Sequence, residues 1–401
     1  DNMDLAGKPA FVRIDPTLEF RWATGSPAEN FPADLFSNRW TGFLVAPESG
    51  RYSISLSSND GGRLFLDDKK IIDLWSDHAT LTGTAIVELK AGEARSIKIE
   101  HYENIGNSDI VLGWRLVEEN IVGEAVEAAR RSDVAIVFAG LNDAIEAESL
   151  DRTSLELPQD QVDLIKQVAA ANRRTIVVMT SGAPILMADW LPKVSALIQT
   201  FYYGQEGGNA IADVVLGKHA PSGKLPATFL KRWEDSPAFG RFPGDGRSLS
   251  YSEGIFVGYR WFDQRNIEPL FPFGHGLSYT SFRYSNLTLI ETGDGEVRVV
   301  FDVTNTGKRA GAEAAQIYVE DVRSSSERPP KELKGIEKVF LQPGERRTVS
   351  VTLNKAAFAF YDLARSSWIV ERGDFNIQVG SSSRDIRLRG PIRLGKDQIF
   401  K

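Results

Sequence analysis

The stretch that decides the fold is Asp133–Gly140, which reads DVAIVFAG. This apolar, β-branched run predicts a strand buried on both faces. Apolar residues recur at helical spacing in Leu157–Arg174 (LPQDQVDLIKQVAAANRR), and Thr175–Gly182 (TIVVMTSG) is a second buried strand. A third strand and a helix follow at Val194–Gly204 and Glu206–Lys218. This alternation predicts an α/β domain with a mostly parallel sheet and helices on both of its faces.

The regions on either side of this α/β core are all-β in pattern. Residues 1–116 alternate apolar and polar side chains between Gly- and Asp-rich turns, which predicts a β-sandwich. Residues 281–401 repeat the pattern and predict a second sandwich, of immunoglobulin-like or fibronectin-like kind. Residues 231–280 are rich in Gly, Pro and aromatic side chains with little periodicity, and predict a connector. The α/β domain then covers residues 117–230.

Composition excludes several functions. The 401 residues carry a net charge of −7 without a basic cluster, so nucleic acid and anionic membranes are poor partners. The chain has no cysteine, which excludes disulfides and thiol catalysis, and its four histidines lack ligand spacing, so we expect no metal site. No apolar run reaches the roughly 20 residues of a membrane helix. We expect a soluble protein, and a secreted or periplasmic location would need a signal outside this chain.

An acidic loop follows the first buried strand. Asn142–Pro158 reads NDAIEAESLDRTSLELP, with five carboxylates and one arginine. A loop at the carboxyl end of a parallel strand is a favoured place for functional groups. The loop is therefore either a solvated connection or a segment that holds a carboxylic acid over a site.

Six motifs, taken together, resemble the carboxy-terminal half of glycoside hydrolase family 3, the β-glucosidases and their relatives. They occur in the family's order and extend over about residues 118–380. The motifs are ESLDRTSLELPQDQVDLI (148–165), KLPATFL (224–230), LSYSEGIFVGYRWFD (249–263), FPFGHGLSYTSF (271–282), VTNTGKRAGAEAAQIYV (303–319) and RPPKELKGIEKVFLQPGE (328–345).

The first segment resembles a different module, the protective-antigen-type β-sandwich, which some family members carry as an insertion. Ala46–Asp73 (APESGRYSISLSSNDGGRLFLDDKKIID) carries this resemblance through its order of strand, turn, strand and Asp-rich turn. The family also has an amino-terminal (β/α)8 barrel that carries the aspartate nucleophile, and nothing in these residues resembles it. The resemblance thus implies the later half of a longer enzyme, with the barrel domain or chain as its partner.

The resemblance assigns the acid/base role of a retaining β-glucosidase to Glu148. Asp151 and Arg152 would form a pair that holds Glu148 in place. Glu146 remains the alternative acid if the loop register differs. Trp75 and Asp77 lie in a loop that would contact the leaving-group side of a carbohydrate substrate.

Other interpretations stay open at this stage. SNDGG (Ser58–Gly62) suits a tight turn better than a calcium site, because its first acidic position is Asn59. No cofactor is implied, and a homo-oligomer is expected only by analogy. The expected substrate is a β-glucoside or another β-glycoside such as a β-xyloside. The competing hypotheses are a non-catalytic, carbohydrate-binding accessory fragment and a relative that has lost catalysis.

Overall fold

The computed structural model describes residues 2–117, 120–148, 150–245, 247–293 and 295–401. The chain divides into two compact units. The first unit consists of residues 1–154, 158–180 and 193–198, and the second of residues 155–157, 181–192 and 199–401.

The first unit begins with a β-sandwich of two four-stranded antiparallel sheets. One sheet has the order β1-β8-β3-β6 and the other the order β2-β7-β4-β5. Its core contains Ile54, Leu56, Leu64, Ile99 and Ile110, which alternate with outward residues as expected for two facing sheets. The strands are β1 (Glu19–Ala23), β2 (Phe36–Val45), β3 (Gly50–Ser58), β4 (Gly62–Leu66), β5 (Lys69–Leu74), β6 (Leu81–Leu89), β7 (Ala94–Glu103) and β8 (Ser108–Leu116).

The α/β part of the first unit follows directly. Its sheet has the order β11-β10-β9, and β9 and β10 are parallel with Ala135 opposite Thr175. The helix between them buries Val162, Ile165, Val168 and Ala169, while Leu164 is only half-buried. The elements are α1 (Ile121–Arg130), β9 (Ala135–Gly140), α2 (Gln159–Ala171), β10 (Thr175–Thr180) and β11 (Ala196–Gln199).

The second unit contains α3 (Gly207–Val215), the connector, and a second β-sandwich. The connector carries a short helix, α4 (Tyr259–Gln264), that the sequence pattern did not predict. Tyr259 Oη accepts a hydrogen bond of 2.8 Å from the Leu333 amide, and the Asp263 carboxylate pairs with both Lys331 and Arg384. These contacts anchor the connector to the sandwich.

The second sandwich has a three-stranded sheet, β12-β13-β16, and a four-stranded sheet, β15-β14-β19-β20. Phe301, Ile317, Val319 and Phe375 are fully buried between them. A third small sheet has the order β17-β18-β21. The strands are β12 (Phe282–Gly293), β13 (Glu296–Asn305), β14 (Gly311–Asp321), β15 (Glu332–Leu341), β16 (Arg346–Leu353), β17 (Phe360–Asp362), β18 (Ser367–Val370), β19 (Gly373–Gly380), β20 (Ile386–Leu394) and β21 (Gln398–Phe400).

The predicted order of elements is confirmed, with a parallel strand pair between two β-rich regions. The division at residues 116, 230 and 280 stays a prediction. Of the helices in the described residues, none is long and apolar enough to cross a membrane.

Candidate active site

The acidic loop starts from a fixed point at the carboxyl end of β9. The Gly140 amide donates to Gln161 Oε1 at 2.8 Å, and Gln161 Nε2 donates to the Gly140 carbonyl at 2.9 Å. A side chain at residue 140 would lie 2.3 Å from the Thr180 carbonyl oxygen, so only glycine fits. Helix α2 and strand β10 thus fix where the loop begins.

Glu148 lies on this loop and is exposed. The Ile145 and Glu146 amides both donate to the Asn142 carbonyl at 2.9 Å, which makes a first turn. The Leu150 amide donates to the Ala147 carbonyl at 3.2 Å, which makes a second turn that includes Glu148. Glu148 therefore lies in a short turn that is exposed to solvent.

Arg152 pairs with Glu146 and not with Asp151, which corrects our expectation of an Asp151–Arg152 pair. Arg152 Nη1 lies 3.4 Å from Glu146 Oε1, and these side chains are only 10% and 17% exposed. Asp151 is exposed. Arg152 Nε and Nη2 are buried without a hydrogen-bond partner among the described residues.

Trp75 and Asp77 are brought together by Tyr102 of β7. The Tyr102 ring meets the Trp75 ring edge-on at a centroid distance of 4.8 Å, and Tyr102 Oη donates to Asp77 Oδ1 at 2.8 Å. Burial and then Asp77 raise the pKa of the Tyr102 phenol, so it remains a donor. The Arg63 guanidinium carbon lies 3.9 Å from the Trp75 ring centroid, so this cation covers one face of the ring.

Arg63 is itself held by a cross-strand charge network. Glu100 accepts from Arg39 at 2.8 Å and from Arg63 at 2.5 Å, and these three residues are direct neighbours on β2, β7 and β4. Burial of Glu100 opposes its ionisation, but the two arginines outweigh this and lower its pKa. The cation over Trp75 is therefore fixed by an ionised partner.

A group of buried polar side chains lies behind this loop. Glu103 is fully buried, and neither carboxyl oxygen has a hydrogen-bond partner among the described residues. Burial and then the negative charge of Asp60 raise the pKa of Glu103 to about 8. Burial lowers the pKa of His101 to about 4, so this imidazole is neutral. In the described part of the chain, no three His, Asp or Glu side chains are grouped in a way that would hold a metal ion.

The two sets of expected site residues remain separate. Among the described residues, no hydrogen bond, ion pair or ring contact links Glu148 to Trp75 or Asp77. Sequence reasoning missed Tyr102, Arg63 and Gln161. The only available signal was their position on predicted strands and a helix, which does not say what each side chain faces.

Comparison with known proteins places the chain in a family. The model of the glycosyl hydrolase family 3 C-terminal domain matches residues 56–279, and that of a fibronectin type III-like domain matches residues 313–383. The first match covers more than half of the chain, so the chain belongs to glycoside hydrolase family 3. The expected fibronectin-like sandwich is confirmed, whereas the protective-antigen-type label for the first sandwich stays a prediction.

Three similar proteins illustrate the match. Thermostable beta-glucosidase B of Acetivibrio thermocellus is 47% identical over 289 residues, which is 70% of this chain and 38% of that protein. An exo-alpha-(1->6)-L-arabinopyranosidase of Bifidobacterium breve is 41% identical, over 66% of this chain and 35% of that protein. The crystal structure of a beta-glucosidase from Kluyveromyces marxianus superposes with a TM-score of 0.80 at 34% identity, over 91% of this chain and 45% of the other. The chain spans less than half the length of each.

Proposed function

We propose that this chain is part of a larger retaining, exo-acting β-glucosidase that removes terminal non-reducing β-D-glucosyl residues, with Glu148 as its acid/base. The observation that carries the proposal is the position of Glu148. It is exposed on the loop that leaves a parallel strand, in a chain of this family. The similar β-glucosidases support the choice of sugar.

In this reaction two carboxyl groups flank the anomeric carbon. Glu148 gives its proton to the glycosidic oxygen as the C–O bond breaks, while an aspartate of the barrel domain attacks and forms a glycosyl-enzyme. Glu148 then takes a proton from water, and the water oxygen displaces the aspartate. The sugar leaves with its original anomeric configuration, and both carboxyl groups return to their starting state.

The barrel belongs to the proposal because this chain alone gives Glu148 little shelter from water. A glutamic acid that donates a proton near neutral pH has to be desolvated or placed beside a negative charge. Further polypeptide would also cover the outer face of β9, where Ile136 and Phe138 are 42% and 65% exposed. Relatives in which the matched region makes up less than half of the protein support this view.

Three supporting roles complete the proposal. Arg152 and Glu146 would brace the loop that carries Glu148, and Asp151 would lie beside it on the exposed side. Trp75 and the carboxylate of Asp77 would contact the leaving group, in a first module of protective-antigen type.

The decisive test compares Glu148→Gln with Glu146→Gln in the complete protein. Glu148→Gln should lower kcat/KM by about a hundredfold or more on alkyl or oligosaccharide β-glucosides. It should lower kcat/KM much less on aryl β-glucosides with activated leaving groups, which need little protonation, and azide should restore turnover by attacking the glycosyl-enzyme. Equal loss on both substrates would contradict the assignment, and the same pattern in Glu146→Gln alone would move the role there.

A second candidate activity is favoured by the arabinopyranosidase relative, which is 41% identical. Parallel assays with aryl β-D-glucoside, β-D-xyloside and α-L-arabinopyranoside would separate the candidates. A complete protein that hydrolyses none of them would favour the carbohydrate-binding or non-catalytic alternatives.

A further inference from the structure

The SNDGG turn, which joins β3 to β4, is tied into the sandwich by backbone hydrogen bonds. The Asn59 amide donates to the Asp109 carbonyl at 3.0 Å, and the Tyr102 amide donates to the Gly61 carbonyl at 2.9 Å. A Cβ on Gly61 would lie 1.9 Å from the Tyr102 ring, so the ring packs directly on the glycine backbone. The turn therefore helps to position the tyrosine that contacts Trp75 and Asp77.

Asp60, at the centre of this turn, reaches two other loops. It is 6% exposed and has a φ of +53°, a left-handed conformation that aspartate tolerates better than most residues. Its amide donates to the His78 carbonyl at 2.9 Å, and the His78 amide donates back to Asp60 Oδ1 at 3.2 Å. Its other oxygen, Oδ2, accepts from the Asn104 amide at 2.8 Å.

The same loops are linked a second time through Asp77. Asn104 Nδ2 donates to Asp77 Oδ2 at 2.9 Å, and Tyr102 Oη donates to Asp77 Oδ1. The segment 73–78 is thus held at His78, through Asp60, and at Asp77, through Tyr102 and Asn104. Trp75 therefore lies in a segment that is held by a network starting at a buried carboxylate.

We infer that Asp60 is a positioning residue whose carboxylate fixes the loop of Trp75 and Asp77, and with it the affinity for the leaving-group part of the substrate. This inference rests on the proposed function in one respect, because that loop is taken to contact the leaving group. The geometric part, which is the control of Trp75 by Asp60, stands without it.

The ionisation state of Glu103 should also affect how firmly this network holds the loop. Glu103 lies within reach of the charges of Asp60 and Asp34, with Ser108 beside it, and it is held protonated at neutral pH. Its ionisation would place a second negative charge in a buried site that already holds the Asp60 carboxylate. The loop should therefore loosen when Glu103 ionises.

Asp67 provides a matched control within the same module. It also has a left-handed φ, of +47°, and its Oδ1 accepts a backbone hydrogen bond from Ser96 at 2.9 Å. Its other partner is Arg95, at the start of β7. Asp67→Asn makes the same chemical change in a turn that does not hold the Trp75 loop.

The experiment uses the 401-residue chain labelled with 5-fluorotryptophan, in which Trp75→Phe identifies the Trp75 signal among eight tryptophans. Asp60→Asn keeps one acceptor but turns an amide donor toward the second N–H. It should shift or broaden the Trp75 resonance and raise hydrogen exchange at the His78 amide by about tenfold or more. Asp67→Asn should do neither. In the unsubstituted chain, the Trp75 resonance should also titrate near pH 8, and Glu103→Gln should abolish that titration.

A second variant keeps the test decisive if Asp60→Asn does not fold. Asn104→Ala retains the backbone N–H that Asp60 accepts but removes the bond to Asp77, and it should move the Trp75 resonance in the same sense. In the complete enzyme, these variants should raise KM for β-glucosides with large leaving groups about fivefold and leave kcat on small aryl glucosides within about twofold.

An unchanged Trp75 resonance in both variants overturns the inference, even if the His78 amide exchanges faster, because Asp60 would then only stabilise a turn. Failure of the proposed function looks different. The complete protein would hydrolyse no glycoside, while the fluorine and exchange results on the chain would still follow Asp60.

Discussion

Arg152 and Glu146 form a largely buried ion pair six residues apart in the acidic loop, with Arg152 Nη1 3.4 Å from Glu146 Oε1. Removing the cation would leave a carboxylate that is only 17% exposed without the positive charge of Arg152. Arg152→Met should therefore lower the free energy of unfolding by about 2 kcal/mol, measured by urea denaturation. Arg130→Met breaks an exposed pair with Glu127 and should cost no more than about 0.5 kcal/mol. Similar losses in both variants would contradict a bracing role for Arg152.

Stability should fall with rising pH because of Glu103. Its pKa is raised by burial and by Asp60 from the usual 4.5 to about 8, so the folded state holds a proton that the unfolded state has released between these values. Its contribution is fully present below about pH 4.5 and is lost as pH rises toward 8, at a limit of about 1.4 kcal/mol per pH unit.

Denaturation at pH 5 and pH 8 would measure this slope. Glu103→Gln should flatten the slope, and the exposed control Glu88→Gln should leave it unchanged. An equal slope in the parent protein and in Glu103→Gln would show that Glu103 is not held protonated, because other groups such as His101 contribute alike to both.

The connector should be released when its anchor is removed. Asp263 is nearly buried between Lys331 and Arg384, so Asp263→Asn leaves two cations without their shared carboxylate and should cost about 3 kcal/mol. Limited proteolysis should then cut residues 236–258 faster. Asp374→Asn, which breaks an exposed pair with Arg393, is the control and should leave the cleavage rate unchanged.

Substitution of two neighbouring residues on β9 should change the free energy of unfolding by very different amounts. Val137 is 7% exposed and Phe138 is 65% exposed, because successive side chains point to opposite faces of the sheet. Val137→Ser should cost about 2–4 kcal/mol in the isolated chain. Phe138→Ser should cost less than about 0.5 kcal/mol and reduce self-association in sedimentation velocity. A large loss of stability from Phe138→Ser would mean that this face is already covered.

Much of the fold was predictable because strand and helix periodicities are local properties. Asp133–Gly140 and Thr175–Gly182 proved to be parallel strands, as their continuous apolar character indicated. The helix at Tyr259–Gln264 was missed because six residues give fewer than two turns in which to see a period. The position of Glu148 after a parallel strand was likewise predictable, although its role is a proposal.

The contacts around the site were much less predictable. Asp60 binds the amides of residues 18 and 44 positions away, and those distances depend on which strands pair. A sequence pattern gives the alternation along a strand but not its neighbour or register. Arg152 had several acidic neighbours in the loop, and the pattern could not say that Glu146 was its partner.

The side chain of Gln161 has a consequence for how the sheet can grow. The Ala135 amide donates to the Arg174 carbonyl just before β10, and the Leu141 amide donates to the Thr180 carbonyl of β10. The backbone groups of odd-numbered residues of β9 therefore point toward β10, and those of even-numbered residues point toward the other edge of the sheet. At Gly140 the side-chain amide of Gln161 binds both the backbone N–H and the backbone carbonyl, as a peptide group of a neighbouring strand would. Among the described residues of β9, this leaves the backbone groups of Ile136 and Phe138 to pair with an added strand. This one glutamine therefore restricts the register at which another polypeptide can extend the sheet.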